Sequence, residues 1–599
     1  MPDETNEITL KGIAGSSGVA VAPAYVWHSG EIEVPCYTIT QDAIPAEMER
    51  LDRAVDATRE QLAKLRETIG RRMGEEEARI FDAHIVVLED PVLHEETQRE
   101  MQLTLHNVEF CFEIVASRYV SVFDNIEDEF VRERATDIRD VTRRVLRNML
   151  GATASPSSHI RERVILVAQN ITPSETAELP MEHVVGIVNV VGGRTSHAVI
   201  MARSLEIPSV VGVHGAMDVV HNGDIVLVDG YEGVVIGNPS EVTRVNYTRT
   251  QNAREAQRQF FRASVEKPAC TPDGIPFVLE ANLDEAAEAA KALRRGAKGC
   301  GLFRSETIML RQGRVPSEEE QYAIYRDTVL AMAPHPVVFR TFDIGGDKEL
   351  PKELRPQVEA NPFMGYRAIR LCLDHEEVFR EQLRAMLRAS AHGKVRIMYP
   401  MVSHNKELVR ANAMLESCKA ELRSRGIPFD EQVEVGSMVE TPGAALVMDM
   451  LADHCSFFSI GTNDLLQYTL AVDRGNEQVA ALYNPCHPGF LRLLRQILSD
   501  GRRLGRRVSV CGELAGDPLF APLLFALGAT SLSMSPVCLP EVHYMLTQGT
   551  REDLDGLVAD VFAARSSQEI LDTLSLYRDL HLNLAAELIE PARNNRNGR

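Results

Sequence analysis

His197 is the residue best placed to do covalent chemistry in this chain of 599 residues. It follows Gly192-Gly193-Arg194-Thr195-Ser196 and opens an apolar run, Ala198 to Leu205, that Pro208 closes. The glycines permit close backbone approach, Ser196 is a candidate N-cap, and His197 then takes the first helical position, where unpaired N–H groups and the positive dipole end gather. That field holds a phosphate and disfavours an imidazolium, which leaves the ring neutral and nucleophilic near neutral pH. Beside Arg194, Thr195 and Ser196 such a ring can take up a phosphoryl group. The competing reading is a loop histidine that only helps cap a helix, and the rest of the chain weighs between the two.

A second set of capable residues recurs at intervals beyond Pro268. Short apolar strands alternate with helical patterns at Phe277–Leu283, Gly299–Arg304, Val337–Asp343, Lys394–Pro400, Val433–Glu440, Phe457–Asp464, Val508–Glu513 and Ser531–Ser535. That count and order predict a (β/α)8 TIM barrel, whose chemistry sits at the C-terminal strand ends. Those ends carry Arg304 and Glu306, Arg340, Glu440, Asn463 and Asp464, then Cys511 and Glu513. Arg304, Arg340, Arg367 and Arg474 offer planar, permanently charged recognition of a small polyanion. Glu440 and Asp464, at the ends of neighbouring strands, are the hard carboxylate pair that Mg²⁺ takes together with substrate oxygens. Either one alone is more often a salt-bridge partner. Cys511 is either an acid that gives a proton to carbon or an inert buried thiol. Lys348, in the loop Asp343-Ile344-Gly345-Gly346-Asp347-Lys348, adds a further anion contact.

The elements that must position these groups fall into distinct blocks. Residues Ile8 to Ala22 read as short strands broken by glycine turns. From about Asp42 to Met149, apolar residues recur at three and four spacing (Ile80, His84, Val87, Leu88; Val131, Ala135, Ile138, Val141, Val145), which predicts an inserted helical bundle. Strand runs return at Val164–Ala168, Val184–Val188 and Asp224–Val228, around the His197 helix. The predicted organisation is a multidomain α/β chain. Its parts are an α/β histidine domain (1–34 and 151–240), an inserted all-helical domain (35–150), a helical linker (241–267) and the barrel domain (268–599). A histidine carrier on one domain and an arginine-lined, metal-bearing pocket on another imply a swivelling arm. The acids Glu75, Glu76, Glu77, Asp82, Glu89 and Asp90 on the helical insert suit a small basic protein partner, although charged helix faces are more often only solvated.

Composition narrows the function classes. A formal net charge of -22 argues against nucleic acid, because phosphate backbones demand a basic face, and it requires that a small anionic substrate meet a dense local patch of arginines. The N-terminus is acidic, and no apolar run approaches the roughly 20 residues of a membrane span. The ten cysteines form no Cys-x-x-Cys pair. A cytoplasmic protein of a reducing compartment, without membrane insertion, is the expectation.

Several of these segments resemble one family. Gly192-Gly193-Arg194-Thr195-Ser196-His197 with Ile200 to Pro208, Asp343 to Pro351, Asn361 to Arg370, Phe457 to Leu465, Gln467 to Asn476 and Cys511 to Asp517 closely resemble phosphoenolpyruvate-protein phosphotransferase, enzyme I of the bacterial sugar phosphotransferase system. The resemblance implies that His197 is phosphorylated by phosphoenolpyruvate and passes the group to a histidine of the carrier HPr, docked on the helical insert. It further implies that Arg304 and Arg340 grip the phosphate and that Glu440 and Asp464 bind Mg²⁺. Asn463 and Arg474 would hold phosphate and carboxylate, with Arg367 in the same pocket. Cys511 would protonate the enolate carbon to yield pyruvate, and the chain would form a homodimer through its barrel. The family often has an acidic residue where this chain has Val190, and threonine where it has Ala198. A dikinase or synthase of related build would need a nucleotide-binding domain for which no stretch is long enough. A catalytically retired sensor of phosphoenolpyruvate is disfavoured by the intact arginines, carboxylates and Cys511.

Overall fold

A computed structural model of the chain describes residues 7–27, 34–72, 75–124, 129–151, 160, 162–171, 175, 179–192, 197–205, 207–346, 354, 361–474, 476 and 478–582. The chain divides into two units, Met1–Arg254 and Glu255–Arg599.

The first unit is built on an eight-stranded sheet of order β1-β8-β7-β3-β4-β5-β6-β2. The strands are β1 (Ile8–Lys11), β2 (Ile13–Ser16), β3 (Val19–Trp27), β4 (Val164–Ala168), β5 (Val184–Asn189), β6 (Ser209–Val211), β7 (Ile225–Asp229) and β8 (Val234–Gly237). The central run β3-β4-β5-β6 is parallel. The flanking strands join it antiparallel. Parallel strands are buried on both faces and read as unbroken apolar runs, as β4 does with all five residues buried.

Between β3 and β4 the described residues leave the sheet as helices α1 (Ile44–Arg72), α2 (Glu75–Leu88), α3 (Pro91–Thr104), α4 (Val108–Asp124) and α5 (Glu129–Met149). Of the expected three-and-four stripe, His84, Leu88, Ala135, Ile138, Val141 and Val145 are buried and Val87 packs partly buried against the same core, while the side chains of Ile80 and Val131 lie outside the described residues. Asp90 starts α3 by accepting from the Val92 N–H at 2.9 Å, with Pro91 pre-set at the first helical position. Helix α6 (His197–Ser204) connects β5 to β6, and α7 (Glu241–Ser264) spans the junction of the two units. Along β5, Val188 and Val190 pack into one core, while Ile187 packs on the opposite face with Ala202 of α6 and Ile207. That contact fixes α6 against the sheet, with its N-terminus at the strand's C-terminal end.

The second unit is a closed barrel of eight strands. These are β9 (Leu279–Leu283), β10 (Cys300–Arg304), β11 (Val337–Arg340), β12 (Val395–Tyr399), β13 (Glu434–Val439), β14 (Phe457–Ile460), β15 (Arg507–Val510) and β16 (Ser531–Met534). Every neighbouring pair is parallel. Successive residues alternate between the inside of the barrel and the helical coat. Val337, Phe339, Val395, Ile397, Tyr399, Phe458, Ile460, Val508, Val510, Leu532 and Met534 face the coat in one large core. Leu302, Val338, Met398, Met438, Phe457 and Cys511 form a separate cluster inside.

The strands stop earlier than their apolar runs suggested. β14 ends at Ile460 and, past Gly461, the helix Thr462–Leu470 begins, so Asn463 and Asp464 sit in a first helical turn and not on a strand. Gly461 makes the turn possible. A Cβ there would lie 2.5 Å from Glu440 Oε2 and 3.0 Å from Glu440 Cβ.

Candidate active site

Arg304 and Arg340 are the last residues of β10 and β11, and Arg367 precedes the short helix Ile369–Asp374. Glu440 follows β13, Cys511 follows β15, and Arg474 lies beyond the helix that carries Asn463 and Asp464. Consecutive strand ends thus deliver groups from distant parts of the sequence to one mouth, as a barrel of parallel strands must.

Side chains of alternating charge run across this mouth. Arg340 Nη2 bonds Glu306 Oε1, and its Nη1 lies 3.1 Å from Asp343 Oδ2. Arg367 Nη2 donates to Asp343 Oδ1 at 2.9 Å and lies 3.4 Å from Asp464 Oδ2. Arg474 Nη2 stands 4.0 Å from Asp464 Oδ1. The order is therefore Glu306, Arg340, Asp343, Arg367, Asp464, Arg474. Both central arginines are buried. Burial opposes their charge, but Glu306 and Asp343 around Arg340, and Asp343 and Asp464 around Arg367, outweigh it and hold both guanidinium pKa values above the ordinary one.

Glu440 faces the same cluster and is almost wholly buried. Burial, then the charges of Asp464 and Asp343, push its pKa up to about 8, against the opposing pull of Arg340 and Arg367. The Met401 N–H donates to Glu440 Oε1 at 2.5 Å, and Met401 holds a left-handed φ of 55°. A non-glycine residue in that region is strained by about 1–3 kcal/mol, so the surrounding structure maintains this contact at some cost.

Cys511 is buried, and its Sγ lies 3.6 Å from the Ile460 carbonyl. Burial raises its pKa to about 11, so it is a protonated thiol near neutrality, suited to giving a proton and poorly suited to nucleophilic attack. Asn463 is held by Glu513 in a two-way clasp: Asn463 Nδ2 donates to Glu513 Oε1 at 3.2 Å, and the Glu513 N–H donates to Asn463 Oδ1 at 3.2 Å. Arg304 Nε lies 3.2 Å from Asp284 Oδ1, and its side chain is partly exposed.

Whether these residues suit Mg²⁺ can be judged from their own hydrogen bonding. Asp464 Oδ1 is buried and accepts no hydrogen bond. Glu440, whose carboxylate form is disfavoured by adjacent acids, would be relieved by a cation. Among the described residues, no group of three or more His, Cys, Asp or Glu side chains could hold a metal ion. A two-carboxylate donor set completed by water and substrate oxygens is the kind that Mg²⁺ accepts, and the residues fit it.

The structure therefore joins Arg340, Arg367, Asp464 and Arg474 by direct contact, with Glu440 in the same cluster. Asn463 is linked to Glu513, and Arg304 to Asp284. His197 belongs to the other unit, as the first residue of α6. Gly193, Arg194, Thr195, Ser196 and Lys348 lie outside the described residues.

Several members of the site are not among the residues marked by the sequence pattern. Asp343 was visible only as part of a glycine loop, yet it serves two arginines. Tyr468 accepts from Arg367 Nη1 at 3.3 Å and donates to the Phe363 carbonyl at 2.5 Å. Its position four residues after Asp464 on one helix was an available signal. Asn189 ends β5, is wholly buried, and has neither amide atom hydrogen-bonded. By the alternation along β5 it faces the α6 side.

Comparison with known proteins gives three family matches along the chain: PEP-utilising enzyme, N-terminal, over residues 11–134; PEP-utilising enzyme, mobile domain, over residues 160–233; and PEP-utilising enzyme, PEP-binding domain, over residues 258–551. The phosphoenolpyruvate-protein phosphotransferase of Geobacillus stearothermophilus is 42% identical over 571 residues, covering 95% of this chain and 98% of that protein. The protein of the same name from Bacillus subtilis (strain 168) is 40% identical over 562 residues, covering 94% and 98% respectively. A solution structure of an Enzyme I protein is 37% identical, covering 41% of this chain and 99% of its own, with a TM-score of 0.36.

Proposed function

The chain belongs to the phosphoenolpyruvate-utilising enzymes, and on that premise we propose that it moves the phosphoryl group of phosphoenolpyruvate to its own His197 and then to a histidine of an HPr-type carrier, releasing pyruvate. The observation that carries this reading is the alternating series from Glu306 to Arg474 at the barrel mouth. Buried arginines held by carboxylates are already oriented, so a phosphate and a carboxylate can exchange with those acids without new ordering cost.

In the proposed reaction Arg304 and Arg340 take the phosphate oxygens, and Arg474 with Asn463 takes phosphate and carboxylate. Arg367 supports the pocket through Asp343 and Asp464. The neutral imidazole of His197 attacks phosphorus in line, the bond to the enol oxygen breaks, and a nitrogen–phosphorus bond forms. The enolate left behind is electron-rich at its terminal carbon, and Cys511 gives that carbon its proton. Glu440 and Asp464 would hold Mg²⁺, which when bound neutralises negative charge on the transferring group.

The remaining assignments belong to the same proposal. Residues 1–34 with 151–240 would form the phosphohistidine domain, 35–150 the carrier-docking insert, 241–267 the linker, and 268–599 the substrate-binding domain that pairs two copies. Among the described residues no helix is long and apolar enough to cross a membrane, which accords with the cytoplasmic location proposed. Incubating the chain with phosphoenolpyruvate, Mg²⁺ and an HPr-type protein should give phosphohistidine on the carrier and pyruvate in equal amount. Pyruvate without a labelled carrier would refute the second transfer.

A further inference from the structure

The inner wall of the barrel is divided by chemistry. On one side lie Leu302, Val338, Met398, Met438 and Phe457. On the other, alternation with the outward residues Leu279, Ala281, Leu283, Phe458, Ile460, Val508, Val510, Leu532 and Met534 turns Glu280, Asn282, Ser459, Ser509, Ser531 and Ser533 inward. A barrel of this size is normally filled by branched apolar side chains. Here four serines occupy that volume, and Gly301 beside them carries no side chain at all.

These polar groups are arranged in order. Ser459 is in register with Ser509 across β14 and β15, and Ser509 with Ser531 across β15 and β16. Ser531 Oγ donates to Glu280 Oε2 at 2.7 Å. At the other end, the buried Ser459 hydroxyl has no hydrogen-bond partner; it acts to lower the pKa of the Cys511 thiol, whose Sγ lies 3.6 Å from the Ile460 carbonyl. A second line holds the far side of the same cysteine: Ser533 Oγ donates to Asn282 Oδ1 at 2.6 Å, and Asn282 Nδ2 donates to the Cys511 carbonyl at 3.0 Å. A Cβ on Gly301 would lie 2.6 Å from Ser533 Oγ and 2.8 Å from Glu280 Oε2, so both lines converge on the space that glycine leaves.

We propose that the row Glu280, Ser531, Ser509 and Ser459 is a proton track through the barrel that restores the proton of Cys511, while Asn282 and Ser533 position that cysteine. The inference rests on Cys511 being the proton donor to carbon. Once its S–H proton has gone to the enolate, a buried thiolate remains, and a route through the barrel would return that proton without passing the product at the mouth. With the Ser509 hydroxyl rotated off the Phe458 carbonyl, to which it donates at 3.4 Å, and Ser531 rotated off Glu280 Oε2, Ser459 gives its hydroxyl proton to sulfur as it takes one from Ser509, Ser509 takes one from Ser531, and Ser531 takes one from the Glu280 carboxylic acid. Directly opposed residues on adjacent strands are about 4.8 Å apart, a span that a hydroxyl rotation or one bridging water closes. The carboxylate left on Glu280 regains its proton from water at the opposite end of the barrel. There Arg396 and Arg507 share Glu434 at 2.7 Å each, at the base of the strands and partly exposed. Burial raises the Glu280 pKa, against the hydrogen bond from Ser531 and the charges of Arg396 and Arg507, so the resting group is a better proton reservoir than an ordinary glutamate.

The test is multiple-turnover pyruvate formation from phosphoenolpyruvate with Mg²⁺ and an HPr-type carrier, in which the thiol must be reprotonated each cycle, followed in H2O and D2O beside a single-turnover control for the full chain and for Ser459→Ala, Ser459→Thr, Glu280→Gln and Cys511→Ala. The track predicts that Ser459→Ala and Glu280→Gln each slow pyruvate formation by about tenfold or more, with a changed solvent isotope effect and an unchanged KM. Ser459→Thr, which keeps the hydroxyl, should return the rate to within about twofold of the unaltered chain. If either Ser459→Ala or Glu280→Gln keeps the rate and isotope effect of the unaltered chain while Cys511→Ala is impaired, the track is wrong. If Cys511→Ala itself forms pyruvate at the full rate, the underlying role of the thiol is wrong instead.

Discussion

Arg367 stands 3.4 Å from Asp464 through the same guanidinium nitrogen that donates to Asp343 at 2.9 Å. One buried cation thus ties the loop after β11 to the helix after β14. The anions it holds together, with Glu440 behind them, would otherwise repel one another in a largely buried space.

Arg367→Met should therefore leave Asp343 and Asp464 buried without compensation. Breaking a buried pair from one side costs about 3–5 kcal/mol, which calorimetry of the barrel would show as a lowered Tm. Arg367→Lys should not restore it, because an ammonium cannot reproduce a planar contact to both acids. Full stability in the lysine variant would mean that charge alone matters here.

Glu440 gives a pH dependence whose sign follows from its raised pKa of about 8. The folded chain favours the neutral acid, so the stability contributed by this group is fully present below the ordinary pKa near 4.5 and is lost as pH rises toward 8. Without divalent ions, Glu440→Gln should raise the Tm at pH 9 and leave it unchanged at pH 4. Adding Mg²⁺ should reverse the alkaline difference, because the carboxylate gains a partner that the amide lacks. Equal Mg²⁺ stabilisation of both chains would remove Glu440 from the metal site.

Gly512→Ala tests the support of Cys511. A Cβ at this position would lie 1.8 Å from Thr462 Oγ1 and 2.7 Å from the Thr462 backbone nitrogen, so the backbone itself must shift. Overpacking of this kind costs about 1–3 kcal/mol. Pyruvate formation should fall more than phosphoenolpyruvate binding does, as a KM-against-kcat comparison would reveal.

Asn189 offers a trade between stability and activity. A buried amide with no partner costs about 1–3 kcal/mol, so Asn189→Leu should raise the Tm of the first unit. If the amide serves the α6 end of the sheet, His197 phosphorylation should slow in the same variant. A stabilised chain phosphorylated at the unaltered rate would make Asn189 a purely structural residue.

Much of this architecture was legible in the residues themselves. The barrel strands announce themselves because parallel strands buried on both faces are short apolar runs, and the helical insert because its core face repeats at three and four. The positions of Arg340, Glu440 and Cys511 follow from strand ends alone. What did not follow was the pairing. That Asp343 serves both Arg340 and Arg367, or that Met401 adopts a left-handed backbone to reach Glu440, depends on loops whose course is fixed by tertiary contacts. The serine row was equally hidden, because Ser459, Ser509 and Ser531 become neighbours only through strand register.

The central claim is that His197 carries the phosphoryl group. Incubating the chain with ³²P-labelled phosphoenolpyruvate and Mg²⁺, without carrier, should place an acid-labile, base-stable label on the peptide containing His197, and His197→Ala should acquire none while keeping its Tm. Undiminished labelling of the His197→Ala chain would contradict the account.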